Sequence, residues 1–119
     1  MELEVNGKIF KFVFGYGFLK EINNGAKVES SGIKMNMGVA GVITGLQLGD
    51  TESLIDTLKK ANKTETPRLT EQDIDYIFDS TDADQLFDDV MEELKKSQFT
   101  KTAANRALEE MGKVEEQLQ

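Results

Sequence analysis

Ten carboxylates between positions 71 and 93 are the residues of this chain best suited to chemistry, and no Lys or Arg interrupts them. Asp82, Asp84 and Glu93 have the spacing of the first, third and twelfth ligands of a calcium-binding loop. The sixth position of such a loop needs Gly for its sharp turn, and Phe87 stands there instead. Apolar residues in this stretch recur at helical spacing, so we interpret the carboxylates as the solvated faces of two amphipathic helices. The ten are Glu71, Asp73, Asp75, Asp79, Asp82, Asp84, Asp88, Asp89, Glu92 and Glu93.

The chain contains neither Cys nor His. This excludes disulfides, zinc–thiolate sites and cysteine nucleophiles, and it removes the commonest general base and transition-metal ligand. The segment Gly15–Lys20 has part of a phosphate-loop pattern, but the third Gly of the dinucleotide fingerprint is missing. We predict instead that its two glycines form a sharp turn, which packs Tyr16, Phe18 and Leu19 on the preceding strands. We therefore expect no catalytic residue, no metal site and no cofactor.

The net charge is -8 and the isoelectric point is about 4.6. Such a surface repels phosphate backbones and anionic lipids, so we predict neither nucleic-acid nor membrane binding, whereas a basic partner would be attracted. Residues 1–6 lack the features of a signal peptide, and the longest apolar stretch, 35–48, is interrupted and too short to span a bilayer. We expect a cytosolic protein with one domain over residues 1–119.

The N-terminal residues, about 2–14, predict a β-hairpin. Asn6-Gly7 is the strongest short signal for a type I′ turn, and it separates two runs of strand-forming residues. Phe10, Phe12 and Phe14 would share one face at the strand period of two. Together with Phe18 they are predicted to form the face that packs the hairpin onto the rest of the chain.

The pattern after the hairpin predicts an α+β fold that is mainly α-helical, with the hairpin packed on helices. Residues 26–32 are typical of a loop. Residues 33–48 are apolar and rich in small residues, above all Gly, which predicts a buried helix that another backbone approaches closely. The remaining predictions are a helix over 16–23, a helix over 51–62, a connection at 63–68, a helix capped by Thr70 with Asp73 as its capping-box partner, a helix starting at 80–82, and a last helix over 101–117 capped by Thr100.

The predicted last helix carries an apolar seam whose steps alternate between three and four residues, as in a coiled coil. Such a seam docks on its own domain or on another chain, and the pattern alone leaves both open. Gly112 lies within the seam and weakens the helix, which favours ordering by a partner. The candidate partner-binding residues are Ala104, Ala107, Leu108, Met111, Val114 and Leu118.

Two segments of the chain are similar to a known family. Residues 6–22, with the run Phe14-Gly15-Tyr16-Gly17-Phe18, resemble the start of tail assembly chaperones from long-tailed phages that infect Gram-positive bacteria. Residues 94–101, just before the predicted last helix, are similar as well. The family resemblance implies a strand pair followed by helices, in agreement with the reading above.

The resemblance also implies a function. Such chaperones bind the tape measure protein in the host cytoplasm, keep it soluble while the tail tube assembles, and are absent from the mature virion. Some are made in two lengths by ribosomal frameshifting. Exposed apolar faces on a long helical client aggregate unless they are covered. Self-assembly into rings or spirals would supply the many copies that one long client requires.

Two other functions remain open at this point. The first is a structural protein of the tail or of the head–tail connector that stays in the virion. The second is an acidic inhibitor that mimics DNA, using the carboxylates of the 71–93 stretch. An enzyme is the weakest interpretation, because the chain has no His, no Cys and no metal-binding pattern.

Overall fold

The computed structural model describes the backbone at residues 1–24, 27–30, 33–36 and 38–118, and the side chains at residues 1–24 and 38–113. In the described residues the chain is mainly α-helical with an N-terminal two-stranded antiparallel hairpin, as predicted. The elements are β1 (Glu2–Val5), β2 (Lys8–Lys11), α1 (Tyr16–Asn23), β3 (Lys27–Ser30), β4 (Ile33–Asn36), α2 (Gly38–Gln47), α3 (Thr51–Asn62), α4 (Glu71–Ser80), α5 (Ala83–Lys96) and α6 (Lys101–Leu118).

The N-terminal hairpin has the predicted turn. Asn6 and Gly7 have φ values of 53° and 81°, the left-handed pair that a type I′ turn requires. The second strand ends at Lys11, three residues before the predicted limit. One more pair, Met1 with Phe12, still exchanges hydrogen bonds in the hairpin register before Val13 bonds to α3. The N–H of Phe12 donates to the carbonyl of Met1 at 2.9 Å, and the N–H of Val13 donates to Ala61 of α3, also at 2.9 Å.

The aromatic face of the hairpin is buried, as predicted. Phe10, Phe12, Phe14 and Phe18 are exposed by no more than 6%. Phe14 and Phe18 meet edge to face with ring centroids 5.0 Å apart, a favoured geometry for aromatic pairs. This face belongs to a core cluster to which all six helices also contribute. Strand β1 packs against α4, and β2 packs against α3.

A second antiparallel hairpin, β3 with β4, corrects two predictions. Residues 27–30 are a strand and not part of a loop, and the helix predicted from position 33 begins only at Gly38. In the register, Val28 lies opposite Met35 and Glu29 opposite Lys34. Apolar and charged residues therefore alternate with the strand period. This alternation is short, and the longer helical spacing of apolar and small residues after it led to the prediction of a helix from position 33.

Helix α2 is held closely between its neighbours, as its small residues predicted. A Cβ on Gly38 would collide with the Ile22 carbonyl of α1, and a Cβ on Gly45 would collide with Ser53 of α3. The helix is not buried on all sides, because Val39 and Ile43 face the core while Gly41, Thr44 and Gln47 are exposed.

The predicted capping box at the start of α4 is present. The Thr70 hydroxyl accepts from the N–H of Asp73 at 3.2 Å, and the Asp73 carboxylate accepts from the N–H of Thr70 at 2.9 Å. The hydrogen bond that the carboxylate accepts from the Thr70 N–H lowers the pKa of Asp73, against the opposing effect of burial. The Thr70 hydroxyl, which also donates to the carboxylate at 2.9 Å, and the charge of Lys8 lower this pKa further. The predicted connection at 63–68 is anchored by Asn62, whose amide bonds Lys11, Pro67 and Leu69.

Thr100 behaves differently from the cap that was predicted. Helix α6 does begin at Lys101, but the buried Thr100 hydroxyl donates to the carbonyl of Leu94 at 2.7 Å. The bond fixes the tight turn between α5 and α6, which contains Phe99.

Candidate partner-binding surface

Two aromatic side chains lie exposed beside each other where α1 begins and where α5 joins α6. Tyr16 is 61% exposed and Phe99 is 51% exposed, and their ring centroids are 6.1 Å apart. The prediction that Tyr16 packs on the hairpin is wrong: only its neighbours Phe18 and Leu19 turn inward. In α1, positions 18 and 22 face the core, which places position 16 on the outer side at 100° per residue.

Hydrogen bonds hold Phe99 in this exposed position. The Ser97 hydroxyl donates to the carbonyl of Phe14 at 2.5 Å, which ties the α5–α6 turn to the segment that leads into α1. The same hydroxyl accepts from the N–H of Phe99 at 3.3 Å. An exposed Phe on a turn that is fixed to the core needs little ordering before it contacts a partner, so less conformational entropy is lost on binding.

An open groove of about 660 Å³ continues from Phe99 between α6 on one side and α1 and α2 on the other. Its lining is mostly apolar, since Leu19, Val39, Ala40, Ala103 and Ala107 contribute to it. The polar side chains of Asn23, Thr102, Arg106 and Glu110 complete the lining. We use the name apolar groove for this feature and aromatic pair for Tyr16 with Phe99.

The C-terminal seam proposed from the sequence lies partly against the chain's own core. Ala104 is fully buried, and Ala107, Leu108 and Met111 are half-buried against the core cluster where α6 packs on α2 and α5. Ala107 also lines the apolar groove, so the seam and the groove share one edge. The backbone of α6 continues as helix to Leu118, and the side chains of Val114 and Leu118 lie outside the described residues.

Sequence reasoning missed the aromatic pair and the groove. The available signal was local: Phe99 is an isolated aromatic among Ser97, Gln98, Thr100 and Lys101, between two helices that each have a complete apolar stripe without it. The groove itself joins residues that are about 80 positions apart, and no local pattern indicates such a contact.

Nine of the ten carboxylates in the 71–93 stretch lie on α4 or α5, and Asp82 is the N-cap of α5. Asp73 departs from the predicted solvated faces, because it is buried at the start of α4. Leu86 and Val90 of α5 are buried, while Asp84, Asp88 and Asp89 are exposed on the other side of the helix. Within the described ranges, no three acidic side chains converge in a way that could hold a metal ion. Among these residues, none of the helices has the length and hydropathy needed to cross a membrane.

Comparison with known proteins gives one clear relationship. The family model described as phage tail assembly chaperone protein, TAC, matches residues 2–109. The match includes the aromatic pair and almost all of the apolar groove. No curated protein and no solved structure matches the chain.

Proposed function

The chain belongs to the phage tail assembly chaperone family, and from this premise we propose that it binds the tape measure protein and keeps it soluble while the tail assembles. Family membership over residues 2–109 carries this proposal. A chaperone of this kind acts by binding and needs no catalytic group. We propose that it works in the host cytoplasm and does not remain in the mature virion.

The exposed apolar surface supports a binding role. The aromatic pair and the apolar groove expose apolar side chains to water, which does not stabilise a monomer. Exposed apolar surfaces of this kind usually mark binding sites. A tape measure protein is a long chain with apolar helical faces, which aggregate unless another protein covers them. Recognition of a helix in a groove is the mode that fits these two partners.

The overall charge supports the second part of the role, which is keeping the complex in solution. At a net charge of -8, copies of the chaperone repel each other and repel other complexes of the same kind. The exposed carboxylates of α4 and α5 supply most of this charge. A client decorated with such chaperones would therefore remain dispersed.

The C-terminal seam is proposed as one contact surface, since Val114 and Leu118 continue it beyond the half-buried Met111. Replacing Val114 and Leu118 together by Asp should reduce client binding. Replacing Asn105, an exposed residue of the same helix that does not belong to the seam, by Asp serves as the control.

Co-expression with the tape measure protein of the same phage tests the proposed function. We expect the tagged chain to retain the client and to raise its soluble yield, and an unrelated acidic protein of similar size to do neither. If the client is equally insoluble with and without this chain, the chaperone function is wrong. Detection of the chain in purified virions would instead favour a structural tail protein.

A further inference from the structure

We infer that the apolar groove and the aromatic pair receive one amphipathic helix of the client, with its apolar face on the groove and carboxylates along its border facing Lys20 and Arg106. This inference rests on the proposed function. It adds a binding site on the chaperone and the chemistry of the client segment that this site selects.

The shape of the surface favours a helix. The α6 wall presents Ala103 and Ala107, whose small side chains allow another helix axis to approach to the usual 8–10 Å. Leu19 and Val39 form the opposite wall. The aromatic pair stands at one end of the groove, where it would cover the apolar face of an incoming helix. Tyr and Phe are among the residue types enriched at interfaces.

The charges beside the groove select the kind of helix. Glu110 is the carboxylate that lines the groove, and Lys113 already pairs with it at 3.2 Å. Arg106, which also lines the groove, forms no ion pair with any carboxylate whose side chain is described. The groove therefore has a positive border on a protein whose net charge is negative.

A second cation stands next to the aromatic pair. The Lys20 ammonium lies 5.6 Å from the centre of the Tyr16 ring and, like Arg106, has no ion-pair partner among the described carboxylates. Lys8, Lys11, Arg68 and Lys101 also lack an ion pair among the described carboxylates, whereas Lys59, Lys60, Lys63, Lys95, Lys96 and Lys113 are paired. What distinguishes Arg106 and Lys20 is their position beside the groove and the aromatic pair. A client helix with carboxylates on its border would pair with the Arg106 guanidinium, which binds carboxylates in a bidentate manner. A wholly basic helix would be attracted to α4 and α5 instead.

The test is retention of the co-expressed tape measure protein on tagged variants, compared with the wild-type chain. Ala103→Glu places a charge on the α6 wall of the groove, and we expect the retained client to fall at least roughly tenfold, the effect of losing an interface hot spot. Asn105→Glu adds the same charge to the same helix outside the groove, and we expect wild-type retention. Both positions are exposed, so folding should be unaffected.

The charge of the client is tested separately. We expect Arg106→Glu to lower retention by roughly tenfold, the size expected when a charged hydrogen bond becomes a repulsion. Arg106→Lys should lower retention by less, because the positive charge is kept while the bidentate geometry is lost. Arg68→Glu, an exposed cation far along the sequence, should have no effect. If Arg106→Glu raises retention, the client border is basic and the inference is wrong.

These outcomes separate the inference from the proposed function. A wild-type chain that does not retain the client contradicts the function itself. A wild-type chain that retains it, together with an Ala103→Glu variant that retains it equally well, leaves the function intact and overturns the groove as its site. If Ala103→Glu converts an oligomer into monomers without loosening the client, the groove joins copies of this chain, and the inference is again overturned.

Discussion

Phe14 and Phe18 lie on either side of Tyr16 in the sequence, yet they have opposite surroundings. The two phenylalanines are exposed by 6% and 2% and pack on each other within the core, whereas Tyr16 is 61% exposed and faces Phe99. A run of alternating glycines and aromatics thus provides a core face and an outer face within five residues. Aromatic residues that are close in sequence therefore have different roles. Phe14 and Phe18 stabilise the fold, and Tyr16 is available to a partner.

The comparison predicts that the two groups of rings respond differently to removal. Phe10 belongs to the buried group, and Phe10→Ala should lower the free energy of unfolding by about 3–5 kcal/mol through lost burial and the cavity left behind. Urea denaturation followed by circular dichroism measures this change. A loss below about 1 kcal/mol would mean that the hairpin is not packed on the core as described.

Gly38 and Gly41 of α2 differ in how closely other parts of the chain approach them. Gly38→Ala should destabilise the chain by about 1–3 kcal/mol, because the added methyl group meets the Ile22 backbone of α1. Gly41 has open space around its Cβ position, so Gly41→Ala should instead stabilise α2 by up to about 1 kcal/mol. Thermal unfolding of the two variants provides the measurement, and equal melting temperatures would contradict the close contact between α1 and α2.

Asp73 allows a test by pH. Its pKa is lowered in the folded chain, so the folded state favours the carboxylate, and this stabilisation is present above the ordinary pKa of 3.8 and is lost as the pH falls through the lower folded value. At pH 7, Asp73→Asn should cost less than about 1 kcal/mol. The difference in stability between wild type and variant should shrink below pH 3.8. A difference that stays constant from pH 7 to pH 3 would contradict the role of the charge.

The smallest effect on stability is expected at the aromatic pair. Tyr16→Ala and Phe99→Ala should each change the free energy of unfolding by no more than about 0.5 kcal/mol, because both rings are mostly exposed. Tyr76→Ala, at an exposed aromatic on α4, is the matched control for both stability and client retention. A loss of several kcal/mol at Phe99 would show that this ring belongs to the core and not to a binding surface.

Much of the fold could be predicted from local patterns. The Asn6-Gly7 turn, the buried face of Phe10 and its neighbours, and the Thr70 capping box all depend on residues close in sequence, where backbone conformation and side-chain type are directly coupled. The helix over 51–62 was predicted for the same reason, since its apolar stripe and its bounds are local features.

The errors came from competition between patterns and from contacts distant in sequence. The β3–β4 hairpin was missed because its two short alternations adjoin a longer apolar segment with helical spacing. The turn at Gly15 and Gly17 predicts that Tyr16, Phe18 and Leu19 all pack inward, but Tyr16 lies on the outer side of α1. The apolar groove depends on the packing of α6 beside α1 and α2, which the hydrogen bond between Ser97 and Phe14 helps to fix. These two residues are 83 positions apart, and a single sequence contains no pattern that indicates their contact.

Amide hydrogen exchange, measured on the chaperone alone and in the purified complex with its client, tests whether the client covers the aromatic pair and the apolar groove. We expect the client to slow amide exchange at the start of α1, in the turn from Ser97 to Thr100 and at the α6 residues that line the groove. Exchange in α4 should not change. Slower exchange confined to α4 and the acidic side of α5, with no change around Tyr16 and Phe99, would contradict this expectation.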